Sequence, residues 1–382
     1  MINNPLRVWL HACFFALAFC LASLPSLAQE NSERESAMAR LLQANVPVES
    51  QARSERDRAT RAGFAEVLVR LSGHTETLER EGVAGALRNA NDYVIQFSYR
   101  SEQGQRYLQV SFNEERTLGL LQQAQASIWS ARRPELMVWI AQATNSGLEF
   151  VGQDTDPEFV AALSEQGTKR GLVLNTPLLD LTDRMVLSAN DVWGRFEAPV
   201  LEANRRYPAN GAVMVRLIPS VTATPLVEEG MLQTESMAVE ASPMPSRAEW
   251  TVVIGEFRSS GEVSAPTESE LAVALANQIT EQVAREYAVS FAQSANQYVD
   301  IRILNVDSLQ KVVAVEQLLQ DLGPVLKVTM VRYHQGTSEF SLYVAGGAER
   351  VAQALELERR LQRIQDPWSM RETDILEYRW LR

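Results

Sequence analysis

The stretches YVIQFSYR (residues 93–100) and RYLQVSF (residues 106–112), parted by a turn that contains Gly104, read as a β-hairpin. In its second strand Leu108, Val110 and Phe112 fall on alternate positions and so share one face. Upstream, RLLQANVPV (residues 40–48) reads as a strand. The segment Ser54 to Leu71 reads as a helix with Phe64, Val67, Leu68 and Leu71 on one side, Ser54 as its N-cap and Gly73 as its stop. Downstream, NEERTLGLLQQA (residues 113–124) returns to helical spacing, and ELMVWIAQ (residues 135–142) closes the unit as a buried strand. The order over residues 39–145 is β-α-β-β-α-β, the split βαβ arrangement of a sheet backed by two helices.

Residues 296–382 repeat that order. YVDIRILNV is followed by DSLQKVVAVEQLLQDL, the hairpin VLKVTMVRYHQGTSEFSLYV (residues 325–344), the helix AERVAQALELERRL and a terminal DILEYRWL. The two hairpins align at a constant offset of 232 residues, which sets Arg100 on Arg332, Gly104 on Gly336 and Leu108 on Phe340. Between the repeats, residues 150–292 read as a different unit. It has a helix over DPEFVAALSEQGTKR, a short strand GLVLN, the strands GAVMVRLI and EWTVVIGEF, and a long helix through LAVALANQITEQVAREYAV. Residues 219–248 interrupt this unit with Pro219, Pro225, Pro243 and Pro245, the composition of a long binding or mobile loop. The expected class is α+β with α/β character: two βαββαβ units flanking a small α/β layer domain.

The chain begins with one basic residue, Arg7, then an uncharged apolar run from Val8 to Leu24, then Pro25 and small residues. That is the order of a secretory signal peptide over residues 1–28, cut after Ala28, with a loose segment over 29–38. The alternative is an uncleaved inner-membrane anchor, since the run approaches the length that spans a bilayer. Phe19 stands before Cys20 where lipid attachment requires a small residue. Both cysteines, Cys13 and Cys20, lie in this leader, so the exported chain would hold its cores without disulfides. The formal charge of -12 makes nucleic acid and anionic membrane surfaces poor partners. No stable membrane insertion is expected after cleavage.

Candidate chemistry is thin. Past the leader only His74 and His334 remain, with no cysteine, so a His/Cys zinc site cannot be assembled within one chain. Any serine triad would have to use one of these two histidines, which read as solvated. Neither a nucleophile elbow nor a Walker or dinucleotide loop is present, and no catalytic, metal or cofactor-binding residue is assigned. Asp154 and Asp156 form a single D-x-D, better read as an N-cap before Pro157. Asp180 and Asp183 could flank a glycosidic bond as acid and base, although a turn is the better reading. In the stretch from Ser188 to Leu217, Asn190 or Asp191 would cap one helix whose apolar side holds Trp193, Phe196, Val200 and Leu201, with its exit at Tyr207-Pro208. The residues Asp191, Trp193, Arg205, Arg206 and Tyr207 are the candidate ligand or partner surface. Of 36 cationic side chains only Lys169, Lys311 and Lys327 are lysines. Arg53, Arg56, Arg58 and Arg61 crowd one helix, Arg132 and Arg133 precede a strand, and Arg359, Arg360 and Arg363 fall on the last long helix, as solvated faces balanced by Glu or as an arginine face for an acidic partner.

Four segments carry a family resemblance: VPVESQARSERDRATRAGFAEVLVRLSG, RRPELMVWIA, the pair NTPLLDLTD with DVWGRFEAPVLEANRRY, and SLYVAGGAERVAQALELERRL. They resemble the exported Gram-negative domain-of-unknown-function family number twenty sixty-six over nearly all of the mature chain. The resemblance implies a periplasmic location, no assigned activity and no site residues, and the chain departs from the pattern at the Pro-rich insertion, where a tighter tryptophan-bearing hairpin is expected. The middle unit also looks like the small domain that begins the translocation protein TolB, a likeness of fold pattern alone. The expected function is a non-enzymatic envelope accessory or assembly factor that needs no cofactor and acts on an envelope protein through exposed strand edges. Two alternatives stand beside it: a binding module for a cell-wall fragment or small solute near Trp193, and a carboxylate hydrolase using Asp180 or Asp183.

Overall fold

The computed structural model describes residues 37–102, 104–218, 246–290, 296–364 and 375–381. The leader expected over 1–28, nearly all of the segment 29–38 and residues 219–245 of the insertion lie outside the described residues.

The first unit contains β1 (Gln43–Pro47), α1 (Arg53–Ser72), α2 (Val83–Arg88), β2 (Val94–Glu102), β3 (Gln105–Phe112), α3 (Glu114–Gln123) and β4 (Ser127–Ile128). Its antiparallel sheet has the order β1-β3-β2. Ala44, Val46, Leu108, Val110 and Phe112 point to one face and meet Phe64, Val67, Leu68 and Leu71 of α1 in one core, as their spacing predicts. Gly73 ends α1 in the left-handed region at φ 79°, whereas the start departs from expectation: Ala52 is the N-cap and Ser54 lies inside the helix.

The strand expected to close this unit is the centre of another. The middle unit comprises β5 (Glu135–Thr144), β6 (Gly147–Val151), α4 (Pro157–Arg170), β7 (Val173–Asn175), α5 (Leu181–Val186), α6 (Ala189–Trp193), α7 (Glu197–Asn204), β8 (Gly211–Ile218), β9 (Ser246–Ile254), β10 (Phe257–Ala265) and α8 (Glu268–Tyr287). Its sheet runs β10-β9-β8-β5-β6, with β7 also on β5, and β5 lies parallel to both β7 and β8. The boundary expected at residue 145 therefore falls before Glu135. The physical reason is burial on both faces: Leu136, Val138 and Ile140 enter a core under α4 and α8, while Met137, Trp139 and Ala141 enter a second core under α6 and α7. Such an unbroken apolar strand needs cover on two sides, which a two-layer unit cannot give. The Pro-rich stretch is also shorter than expected, because Ser246, Arg247 and Ala248 already belong to β9, and β9 pairs antiparallel with β8 from Gly211↔Ile254 to Ile218↔Arg247. The strand β10 pairs with β9 across Gly255, at φ 54°.

After β11 (Val289–Ser290), which pairs with β4, the last unit holds β12 (Asn296–Leu304), α9 (Leu309–Gln320), β13 (Val325–His334), β14 (Thr337–Ala345), α10 (Gly347–Glu356), β15 (Leu361–Arg363) and β16 (Ile375–Trp380). Its sheet order is β13-β14-β12-β16-β15, with β16 parallel to β12, so the expected βαββαβ order is present with one short strand, β15, added before β16. The helix expected through Leu361 stops at Glu356. Leu361 instead pairs with Trp380 and is buried, which takes Arg359, Arg360 and Arg363 off the helix. The repeat is real at the level of pairing: Arg100 faces Tyr107 as Arg332 faces Glu339, and Val46 faces Leu108 as Ile301 faces Phe340.

Candidate functional site

Between β7 and β8 the chain makes three short helices where one was expected. Ser188, not Asn190, is the N-cap of α6: its hydroxyl accepts from the Asp191 N–H while the Asp191 carboxylate accepts from the Ser188 N–H, a capping box. The helix then breaks at Arg195, held at φ 56°, and resumes as α7 with Phe196 exposed. Val192 and Val200 are buried, and Trp193 packs half-buried beside them with the Arg216 guanidinium 5.8 Å above its ring. Arg205 is an exposed partner of Glu202.

Arg206 and Tyr207 do something that spacing alone does not show. Asp180, the N-cap of α5, receives both terminal nitrogens of Arg206 at 2.6 Å, and one of them also reaches Asp183 at 3.1 Å. The Tyr207 hydroxyl donates to Asp183 at 2.5 Å and accepts from the Leu178 N–H at 3.0 Å. The Leu179 N–H completes the Asp183 carboxylate at 2.9 Å. The hydrogen bonds from Arg206 hold Asp180 at a pKa of about 2, and burial with the Asp183 bond pushes Tyr207 up to about 12. An acid–base pair needs one carboxyl that carries a proton near neutrality. Here the guanidinium holds Asp180 in the ionised form, the phenol and the Leu179 N–H occupy the Asp183 carboxyl, and the arrangement works as a latch across 26 residues.

The latch turns α5 inside out. Asp183 is buried at 3% exposure, while Leu181 and Met185, four residues apart on the opposite side, are 75% and 78% exposed, and the neighbouring Leu178 is 69% exposed. Leu179 and Leu187 anchor the two ends of the segment inward. Leu178, Tyr207 and Pro208 also line a cleft of about 1700 Å³ between the first and middle units. Asp191, Trp193 and Arg205 are absent from its lining, so the five candidate residues do not form one surface: Tyr207 faces the cleft, Arg206 supports it from the latch, and the others serve caps and packing.

Three arginines at the same junction are withdrawn from solvent, Arg70 and Arg170 buried and Arg133 half-buried, contrary to the solvated reading of this residue type. Arg133 donates to five carbonyls, those of Ser130, Arg170, Gly171, Arg70 and Trp129, and lies 4.2 Å from the Trp129 ring centre. Arg70 donates to Lys169, Leu41 and Gln43 carbonyls, and Arg170 to the Gly73 carbonyl and the Asn277 side chain. Among the described residues none of the three forms a salt bridge. Burial lowers the pKa of each, that of Arg133 to about 9, still cationic at neutral pH. His74 is half-buried beside them, with its pKa lowered by burial, whereas His334 is exposed at the end of β13. Asp156 caps α4 before Pro157 as expected, accepting from the Phe159 N–H, and Asp154 is exposed.

Among the described residues no group of three or more His, Cys, Asp or Glu side chains could hold a metal ion, and no helix is long and apolar enough to cross a membrane. Residues 36–130 match the family described as Domain of unknown function (DUF8605). This match covers the first unit up to the segment that leads into β5. No curated protein matches the chain.

Proposed function

We propose that the protein is a non-enzymatic accessory or assembly factor of the cell envelope that works by docking a partner protein. The observation that carries this reading is the inverted α5, a helix that buries its aspartate and presents Leu181 and Met185 to solvent. Burying a charge is costly unless it is paired, and an exposed apolar pair gains nothing from water. A fold that accepts both gains if the apolar side is covered by something else, and the latch keeps that side in a fixed shape before the partner arrives. The resemblance to family number twenty sixty-six and the signal-like leader support an exported, periplasmic location. The likeness of the middle unit to the first domain of TolB is compatible with envelope work and adds nothing about the partner.

The test is in-cell cross-linking of the tagged, exported chain, followed by identification of what is captured. Leu181→Asp with Met185→Asp is expected to cut capture of a stoichiometric partner about ten-fold, in line with the loss of a central apolar contact, while leaving the unfolding temperature within a few degrees because both side chains are already in water. Undiminished capture by this variant, or a chain recovered alone from wild type, would remove the reading.

A further inference from the structure

The first and last units share strand order and register, yet they differ at one edge. In the last unit β16 lies parallel along β12, with Asp300, Arg302 and Leu304 opposite Ile375, Glu377 and Arg379. Because Val46 stands to Leu108 as Ile301 stands to Phe340, the matching positions of β1 are Asn45, Pro47 and Glu49. Among the described residues no strand lies there, since β1 is the edge of its sheet and β5, next in chain order, is the centre of the middle sheet. In antiparallel pairing alternate residues turn their N–H and C=O groups away from the partner. Val48 and Leu42 bond to β3, so Asn45 and Pro47 direct theirs outward, into the cleft that Gln43, Asn45 and Pro47 line on one side and α4 with β7 on the other.

We propose that this cleft takes an extended segment of a partner protein, added as a strand parallel to β1 in the place that β16 fills in the last unit. This rests on the protein-docking reading and deepens it by naming what is docked. Five residues of strand span roughly 17 Å, and the main-chain groups on offer are the Asn45 N–H and C=O and the Pro47 C=O. A second copy pairing edge to edge is disfavoured by two features. Pro47 has no N–H to give, and the Arg70 guanidinium already covers the carbonyls of Leu41 and Gln43. Those two carbonyls lie before the stretch that matches the β12–β16 pairing, so they do not obstruct a short segment. Val173 and Leu178, both exposed on the lining, call for apolar side chains on the segment that enters.

The test uses the full exported chain carrying a photo-reactive residue at Asn45, at Leu181 or, as a control edge, at Ser260 of β10. The Asn45 probe is expected to join a single extended stretch of another protein. A synthetic peptide of that stretch should then bind purified chain, slow hydrogen exchange of the Asn45 amide about ten-fold or more, and bind Asn45→Ala as it binds wild type, because strand addition reads the backbone. Asn45→Pro should weaken it about ten-fold. Where that variant does not fold, the same peptide N-methylated at alternate residues replaces it and should lose binding to wild type. Equal loss in Asn45→Ala, or adducts confined to this chain or to a second copy of it, would overturn the proposal. Adducts from Leu181 without any from Asn45 would overturn the strand and leave the docking reading standing, and silence at both positions would end both.

Discussion

At the scale of single residues the latch decides what Asp180 and Asp183 are. A carboxylate whose folded pKa is lowered contributes stability above its unfolded pKa and loses it as pH falls through the folded value. For Asp180 this window runs from about 4, the ordinary aspartate value, down to about 2. Tyr207 has the opposite sign: its folded pKa is raised, so its contribution is whole below about 10 and is lost as pH climbs through about 12. The Asp180 carboxyl carbon, followed by NMR, is therefore expected to titrate near 2 in the wild type and to return toward about 4 in Arg206→Gln. Tyrosinate absorbance should show three late-titrating groups, Tyr207, Tyr287 and Tyr378, and Arg206→Gln should leave all three late because burial is the main cause for each. An Asp180 that titrates near about 4 in the wild type would mean that the Arg206 fork is not formed in solution.

At the scale of elements, the junction of α1 with α8 sets a sharp constraint. Gly73 ends α1 in a left-handed conformation, and a Cβ there would stand 2.2 Å from the Ala284 Cβ on α8. Gly73→Ala adds backbone strain to a clash with a neighbour that has no flexible end to move. It is expected to cost about 2–4 kcal/mol, read as a lower denaturation midpoint, whereas Gly104→Ala, at φ 83° with open space around it, should cost only the strain, about 1 kcal/mol. Elements of this kind were legible where pattern and capping agree: the hairpins, α4 behind Asp156-Pro157, and the long apolar helix α8. The home of β5 was not, because an apolar run states that both faces are covered without stating by what. The breaks among α5, α6 and α7 also escaped, since Phe196 and Leu201 kept a helical rhythm through the turn at Arg195. The site itself was half legible. Each of Asp180, Asp183, Arg206 and Tyr207 stood out, but their meeting depends on a return of the chain that spacing does not encode, and the inversion of α5 is visible only once Asp183 is seen to be buried.

At the scale of the whole molecule, arginines tie the three units together. Arg70, Arg133 and Arg170 hold the first unit to the middle one through carbonyls on both. Arg132 pairs with Glu358, and Arg350 and Gln353 reach Glu286 at the end of α8, which holds the last unit to the rest. The two junctions differ in kind. Carbonyls do not titrate, so acid reaches the first junction through its neighbour His74, whose pKa burial lowers, and the stability this brings fades as pH falls below the ordinary histidine value, about 6.5. The second contains Glu358, whose burial works to raise its pKa but is outweighed by Arg360 and Arg132, which hold it below the ordinary range. The stability it brings is present above the unfolded glutamate value, about 4.3, and fades as pH falls below that. Calorimetry at about pH 7 is thus expected to show one cooperative transition, and below about pH 4 a second, earlier one as the last unit separates. Arg132→Ala should produce that earlier transition already at neutral pH, while Arg133→Lys, which keeps the charge but loses the five-fold fork, should lower the main transition without splitting off the last unit. Two transitions at neutral pH in the wild type would show that the second junction is too weak to couple the units.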